Sequence, residues 1–285
     1  MTEAHRPSTP NRYQYVRHSM PVRVMHWVNV LALLMLLMSG LQIFNAHPAL
    51  YWGKSSYTGR RPVLQMYSRQ TADGRDIGVT EVFGRTFHTT GVFGLSEDAG
   101  GGPTERGFPS WITVPSNQWL AMGRRWHFVF EWVFVMNGLL YVAYGLWSRH
   151  LVNDLAPTRR DWRSIGRSVL DHLRFRHPSG EAAKRYNVLQ KITYLGVIFG
   201  LLPFMILMGF ALSPRLDSLW PGWVDLFGGR QSARTLHFLT ALLIVLFTLI
   251  HVFEVIVSGL WNNLRSMITG RYRVTPEVPH AAEEK

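Results

Sequence analysis

The feature that most constrains this chain is the gathering of its apolar residues into four blocks of about twenty or more. They lie at about 21–44, 125–147, 188–212 and 235–258. An α-helix needs about 20 apolar residues to cross ~30 Å of hydrocarbon, whereas a soluble chain scatters them in helix or strand periods. The expected fold is therefore all-α, an integral membrane four-helix bundle. Pro203 falls inside the third block and is expected to kink the helix rather than end it. Trp27, Trp126, Trp147, Trp220 and Trp261 stand at block ends, as an interfacial aromatic belt requires.

Lys and Arg set the orientation. Ten lie between Ser148 and Lys191, against Arg215, Arg230 and Arg234 between the third and fourth blocks. The asymmetry puts the 148–191 loop in the cytoplasm with both termini. The long loop of about 45–124 then faces outward, into the periplasm of a Gram-negative cell, because loops beyond ~60 residues obey the charge rule poorly. Its aromatics (Tyr51, Trp52, Tyr67, Phe83, Phe87, Phe93 and Trp111) suggest packing, either on the bundle or against a partner, and a docking platform is the favoured reading. The expected organisation is an N-terminal arm over 1–20, a four-helix domain over 21–262, and a C-terminal tail over 263–285. The arm is polar and the first block exceeds a signal-peptide core, so that block is expected to stay as an anchor.

The formal charge of +12 raises nucleic acid as a partner. The basic residues flank apolar blocks, and no nucleic-acid-binding motif is present, so lipid is the expected neighbour. The chain has no cysteine. That excludes disulfides, thiolate iron–sulfur ligation and covalent haem attachment through C-x-x-C-H, leaving histidine as the obvious ligand for a metal or redox cofactor.

Twelve histidines are present. His5, His18, His47, His88, His150, His172, His177 and His280 read as solvated loop residues. The other four fall in or at the ends of the blocks, where an ionisable residue is a functional candidate by default. His237 and His251 are 14 residues apart, nearly four helical turns, so they share a face about 21 Å apart along the axis. Alternating span direction puts His26 at the depth of His251 and His127 at the depth of His237. Two bis-histidine sites result. Two imidazoles leave zinc under-coordinated, but a haem brings four equatorial nitrogens and needs two axial ligands. Gly40, Gly138, Gly145, Gly196, Gly200 and Gly209 would let a flat macrocycle approach the helices. Arg124, Arg125, Arg230 and Arg234, with Arg17 or Arg23 at the other end, are candidates for pairing with its propionates.

The stretches Met25-His26-Trp27-Val28-Asn29, Gly123 to Phe128, Gly228 to Phe238, and His251 resemble the bacterial di-haem cytochrome b membrane subunits. That group includes the hydrogenase, formate dehydrogenase and thiosulfate reductase cytochromes b, and the likeness covers about Tyr15 to Tyr272. The resemblance implies two haem b, the inner on His26 and His251 and the outer on His127 and His237. It also implies a quinone site, for menaquinone or ubiquinone, beside the inner haem near the start of the third span. Asn187 and Gln190 are candidates there, with Asn29 and Glu254 as further polar neighbours. Glu131, one turn from His127, and Asn137 are other intramembrane polar residues. The long loop after the first span departs from the formate dehydrogenase type. The implied function is electron transfer between the bacterial inner-membrane quinone pool and a periplasmic oxidoreductase, expected to carry molybdopterin. A stand-alone superoxide:quinone oxidoreductase is the alternative. A divalent-metal or proton transporter would show inverted repeats or paired broken helices, which are absent.

Overall fold

The structure, a computed structural model, describes residues 13–56, 59–174 and 186–274. Strand β1 (Tyr13–Val16) precedes the first span, α1 (Met20–Phe44). The stretch after it holds β2 (Ala49–Leu50), β3 (Leu64–Gln70), β4 (Asp76–Val82), β5 (Arg85–His88), β6 (Gly94–Glu97) and β7 (Pro103–Arg106). The second span, α2 (Leu120–Trp147), is followed by two short helices, α3 (Arg159–Arg163) and α4 (Ile165–Leu173). The third combines α5 (Val188–Gly196), one wide π turn (Val197–Leu201) and α6 (Leu202–Ala211). Helix α7 (Pro214–Leu219) leads to the fourth span, α8 (Arg230–Val257), and α9 (Leu260–Thr269) and β8 (Arg271–Val274) follow it.

These four stretches are long and apolar enough to cross a membrane. Many of their large side chains, such as Leu34, Leu139, Leu243 and Leu249, are exposed, as lipid contact requires. Helices α2 and α8 start five residues before the apolar blocks do. Their arginine-bearing first turns read as loop, but a helix runs on through polar residues at an interface. The irregularity expected at Pro203 takes the form of the π turn just before it. Proline offers no N–H to the carbonyl four residues back, and a wider turn absorbs the mismatch.

The all-α expectation needs correction between the first two spans. β2, β3, β4 and β5 form an antiparallel sheet in that order, with Met66 opposite Thr80 and Thr80 opposite Phe87, while β6 and β7 form a separate hairpin.

The chain divides into two compact units. One comprises Trp27–Leu139 and Gly200–Leu246. Its core packs Leu41 and Phe44 at the end of α1 against Leu50, Met66 and Phe108, with Phe93 and Phe238 alongside. Asn45 and the Phe108 backbone exchange two hydrogen bonds, 3.1 and 2.7 Å, and Gln42 donates to the Asn117 carbonyl at 2.7 Å. Thr235 on α8 donates to the Tyr51 carbonyl at 2.7 Å, and Gly53 N–H donates to Ser232 Oγ at 2.8 Å. The packing expected of the loop aromatics holds for Phe93, edge-on to Phe108 at 5.4 Å, and for Tyr51, stacked on His47 at 6.0 Å. Trp52, Phe83, Phe87 and Trp111 are exposed instead.

The other unit comprises Met1–His26, Leu140–Phe199 and Phe247–Lys285. Here β1 pairs antiparallel with β8, so the two ends of the described chain meet, Tyr15 opposite Tyr272. The Arg17 guanidinium lies over both Tyr272 (4.7 Å) and Tyr186 (5.8 Å) and donates to Asn263.

Candidate functional site

Each histidine pair falls within one unit. His26 on α1 and His251 on α8 have ring centroids 6.4 Å apart, with planes at 57°. His127 on α2 and His237 on α8 are 6.3 Å apart at 64°. Helix α8 is continuous from Arg230 to Val257 and so carries one member of each pair. An imidazole nitrogen binds a metal at about 2 Å and lies about 1.1 Å from its ring centroid, so two imidazoles on opposite sides of one metal atom have centroids roughly 6.3 Å apart. Both pairs have that spacing. Among the described residues no three His, Asp or Glu side chains gather to hold a bare ion. The donor set is two imidazoles per site, which suits a group that brings its own equatorial ligands.

The surroundings of the 127/237 pair fit a flat group. A Cβ at Gly40 would stand 3.3 Å from His127 Cε1, and one at Gly209 would stand 3.6 Å from His237 Cε1 and 3.9 Å from Glu131 Oε1. A Cβ at Gly138, Gly196 or Gly200 would meet nothing within 4 Å, and one at Gly145 would meet Leu151. Only Gly40 and Gly209 of the six therefore adjoin a ligand ring.

Ser39 is a residue the sequence reading missed. Its hydroxyl donates to the Met35 carbonyl at 2.6 Å, so toward His127 Nδ1, 3.0 Å away, it acts as acceptor. That puts the imidazole proton on Nδ1 and leaves Nε2 with its lone pair directed away. A metal-binding histidine is commonly fixed this way by a partner on its other nitrogen. A lone hydroxyl in an otherwise apolar run, beside Gly40, was the available signal. His251 is flanked by Phe247, stacked at 5.9 Å, and by Tyr194, edge-on at 6.4 Å. Tyr194 in turn meets Tyr186 edge-on at 5.7 Å.

Most of the other expected polar groups have local partners. Asn187 and Gln190 cap α5 reciprocally: Asn187 Oδ1 accepts from Gln190 N at 2.8 Å, and Gln190 Oε1 accepts from Asn187 N at 3.2 Å. Asn137 donates to Asn29 Oδ1 at 2.6 Å, a polar pin between α2 and α1. Glu254 is half-buried on α8. Of the arginines, Arg234 donates to the carbonyls of Ala49 and His47 and lies over Phe44, and Arg230 donates to the Leu212 carbonyl. Arg23 donates to the Ile268 carbonyl. Arg124 and Arg125 are exposed, Arg124 lying near the Phe128 ring at 5.7 Å.

Three histidines read as solvated are otherwise placed. His47 is half-buried under Tyr51. His150 retains 18% side-chain exposure and bonds Asp154 at 2.6 Å. Burial and the nearby Arg17 push His18 down to about 4, so it is neutral at pH 7. His18, Ser19, Tyr144, His150 and Asp154 line one cleft of about 340 Å³. His88 is exposed, as expected. His5, His177 and His280, the His172 side chain, and Arg176, Lys184 and Arg185 lie outside the described residues.

The family model described as prokaryotic cytochrome b561 matches residues 17–270. The chain belongs to the prokaryotic cytochrome b561 family. It is thus a multi-span prokaryotic membrane cytochrome b of electron transport, and haem b is the group the family implies. A curated relative, the putative protein-methionine-sulfoxide reductase subunit YedZ1 of Azospira oryzae, is 24% identical over 258 residues, covering 90% of this cytochrome and 97% of its own length. No solved structure matches the chain.

Proposed function

We propose that the cytochrome ligates two haem b, one between His26 and His251 and one between His127 and His237, and passes electrons from membrane quinol to an outer oxidoreductase. The observation that carries this reading is the spacing of the rings, 6.4 and 6.3 Å, which suits two imidazoles sharing one iron. Each haem, when bound, supplies a one-electron carrier. The chain's own residues ligate it, orient the imidazoles and exclude water with apolar helices. Both termini and the 148–191 loop are assigned to the cytoplasm by the Lys and Arg asymmetry.

Quinol oxidation at the inner pair yields two electrons and two protons. Tyr194 stands beside His251 and Tyr186 beside Tyr194, and burial pushes the Tyr186 phenol up, so it stays protonated and can donate to a quinone oxygen. The capping box of Asn187 and Gln190 leaves their amide N–H groups for the same role. Neutral His18 and the His150–Asp154 pair offer proton acceptors in the polar cleft. The sheets between α1 and α2 favour an outer partner over a stand-alone quinone oxidoreductase, which has no use for an ordered platform of that size. The partner is a periplasmic oxidoreductase, of the molybdopterin class by the family resemblance. The relative's description adds protein methionine sulfoxide to its candidate substrates.

A haemochrome assay and reduction by a short-chain quinol test this directly. The expected result is two haem b per chain with both reduced by the quinol. One haem per chain, or quinol failing to reduce a two-haem preparation, would overturn the corresponding part. Ser39→Ala is expected to keep both haems while raising the midpoint potential of the 127/237 haem, because the ring loses the acceptor that strengthens its donation to iron. Ser39→Thr should restore the original potential in the same redox titration.

A further inference from the structure

Helices α3 and α4, between the second and third spans, have two unlike sides. Arg160, Arg163 and Arg167 recur at helical spacing along one, with Arg174 just past the end of α4, and Trp162, Ile165 and Val169 along the other; Leu170, three residues after Arg167, falls on the arginine side. Trp162, Val169 and Leu170 are exposed by 54%, 41% and 45%. Three large apolar side chains left open on so short a stretch call for a cover.

The attachment of α3 says what the cover is. Thr158 and Asp161 form a capping box at its start, and the Asp161 carboxylate also accepts from Lys191 Nζ at 2.9 Å. Lys191 is 8% exposed and sits in the first turn of the third span. The ion pair therefore fastens α3 to the level at which the third span enters the membrane. Hydrogen bonds from the Thr158 backbone and hydroxyl and from Lys191 hold the Asp161 carboxyl below its ordinary range, so it stays charged and stays engaged. Arg159, Arg160, Arg163 and Arg167 pair with no carboxylate among the described residues. An apolar side, a row of unpaired guanidinium groups and anchorage at the interface are the properties of a helix lying in the membrane plane.

We propose that α3 and α4 form an in-plane interfacial element. Trp162 and Val169 enter the acyl region, and Arg159, Arg160, Arg163 and Arg167 bind the phosphates of anionic phospholipid. Guanidinium forks suit phosphate oxygens bidentately. The element would couple the chain's stability and placement to the anionic lipid of its own membrane. It does not rest on the haem or quinone assignments.

Because the chain contains no cysteine, single variants V169C and R167C can be spin-labelled uniquely in the full haem-loaded protein. Each is reconstituted in nanodiscs of phosphatidylcholine with or without phosphatidylglycerol. With phosphatidylglycerol, the label at 169 is expected to collide more with oxygen than with a water-soluble nickel chelate, and the label at 167 the reverse. Without it, the contrast at 169 should shrink several-fold. Replacing the four arginines by glutamine should abolish the lipid dependence while the haem spectrum stays unchanged. A label at 169 open to the nickel chelate in both lipids would overturn the proposal. So would one shielded from both reagents, the signature of protein cover, and equal insertion in both lipids would overturn the anionic assignment.

Discussion

His237→Ala is expected to leave the cytochrome with one haem per chain in place of two, and His251→Ala is expected to do the same for the other site. Each pair would hold its haem through one imidazole from each of two helices, so removing one would leave the group with a single protein ligand. Metal and haem sites in helical bundles depend on side chains from facing helices held at a fixed separation. Here the separations are 6.3 and 6.4 Å, and among the described residues no three His, Asp or Glu side chains gather to hold a metal ion without them. The two losses should be independent, because each pair lies within its own unit. Difference spectra should therefore show each single variant losing about half of the α-band, and the double variant nearly all of it. Because α8 carries one member of each pair, the double variant changes a single helix. His127→Ala should match His237→Ala, and His26→Ala should match His251→Ala. If His127→Ala instead paired spectroscopically with His251→Ala, the assignment of partners would be wrong. Retention of both haems by the double variant would sink the bis-histidine reading altogether.

Much of this arrangement was legible in the sequence because helices crossing a membrane obey local rules. Length separates a span from a loop, and the 3.6-residue period puts His237 and His251 on one face whatever surrounds them. Alternating span direction then pairs His26 with His251 and His127 with His237. The loop between the first two spans was not legible in the same way. Its strands are two to seven residues long, and β5 is exposed at every position, so no alternation marks it. Two local signals did exist. Asp73-Gly74 lies in the turn between β3 and β4, and Phe83-Gly84 forms the two-residue loop between β4 and β5. Phe83 there has φ 49° and Gly84 φ 80°, the left-handed geometry that such a hairpin loop needs. The Phe at the first position hides the turn, since Asn or Asp is the residue that announces it. The partners of the arginines were hidden for another reason. Arg234 looked like a partner for a cofactor carboxylate, but it donates to the carbonyls of His47 and Ala49, more than 180 residues earlier in the chain. A guanidinium advertises the need for acceptors, while which acceptors it finds is decided by packing that no local pattern records.

The same consideration makes Arg106 the most informative residue of the loop between the first two spans. It closes β7, is 1% exposed, and donates from Nε to the Phe108 carbonyl at 2.7 Å. Its Nη2 donates to Thr113 Oγ1 at 3.0 Å and to the Ser116 carbonyl at 3.1 Å. One side chain thus holds three successive points of the segment that runs from the sheets to α2. Phe108 in turn is clamped to Asn45 and packed on Phe44, so the arginine also supports the contact between the loop and the end of α1. Arg106→Ala would strand those acceptors and leave a cavity, a loss of roughly 3–5 kcal/mol concentrated in the loop. That is comparable with the whole stability of many small folded elements, so the loop is expected to open locally while the spans persist. Limited proteolysis should cut the variant between α1 and α2 at a rate orders of magnitude above the parent. Haem content and quinol reduction should stay near parental values. Arg106→Lys, which keeps the charge but not the planar fork, should fall between the two. The variant also separates the two halves of the proposed function. If the sheets present the docking surface, Arg106→Ala should still take electrons from quinol but deliver them to its periplasmic partner at a small fraction of the parental rate. Undiminished delivery from a chain whose loop is demonstrably cut would place docking on the span ends instead, and would leave the sheets without the role assigned to them.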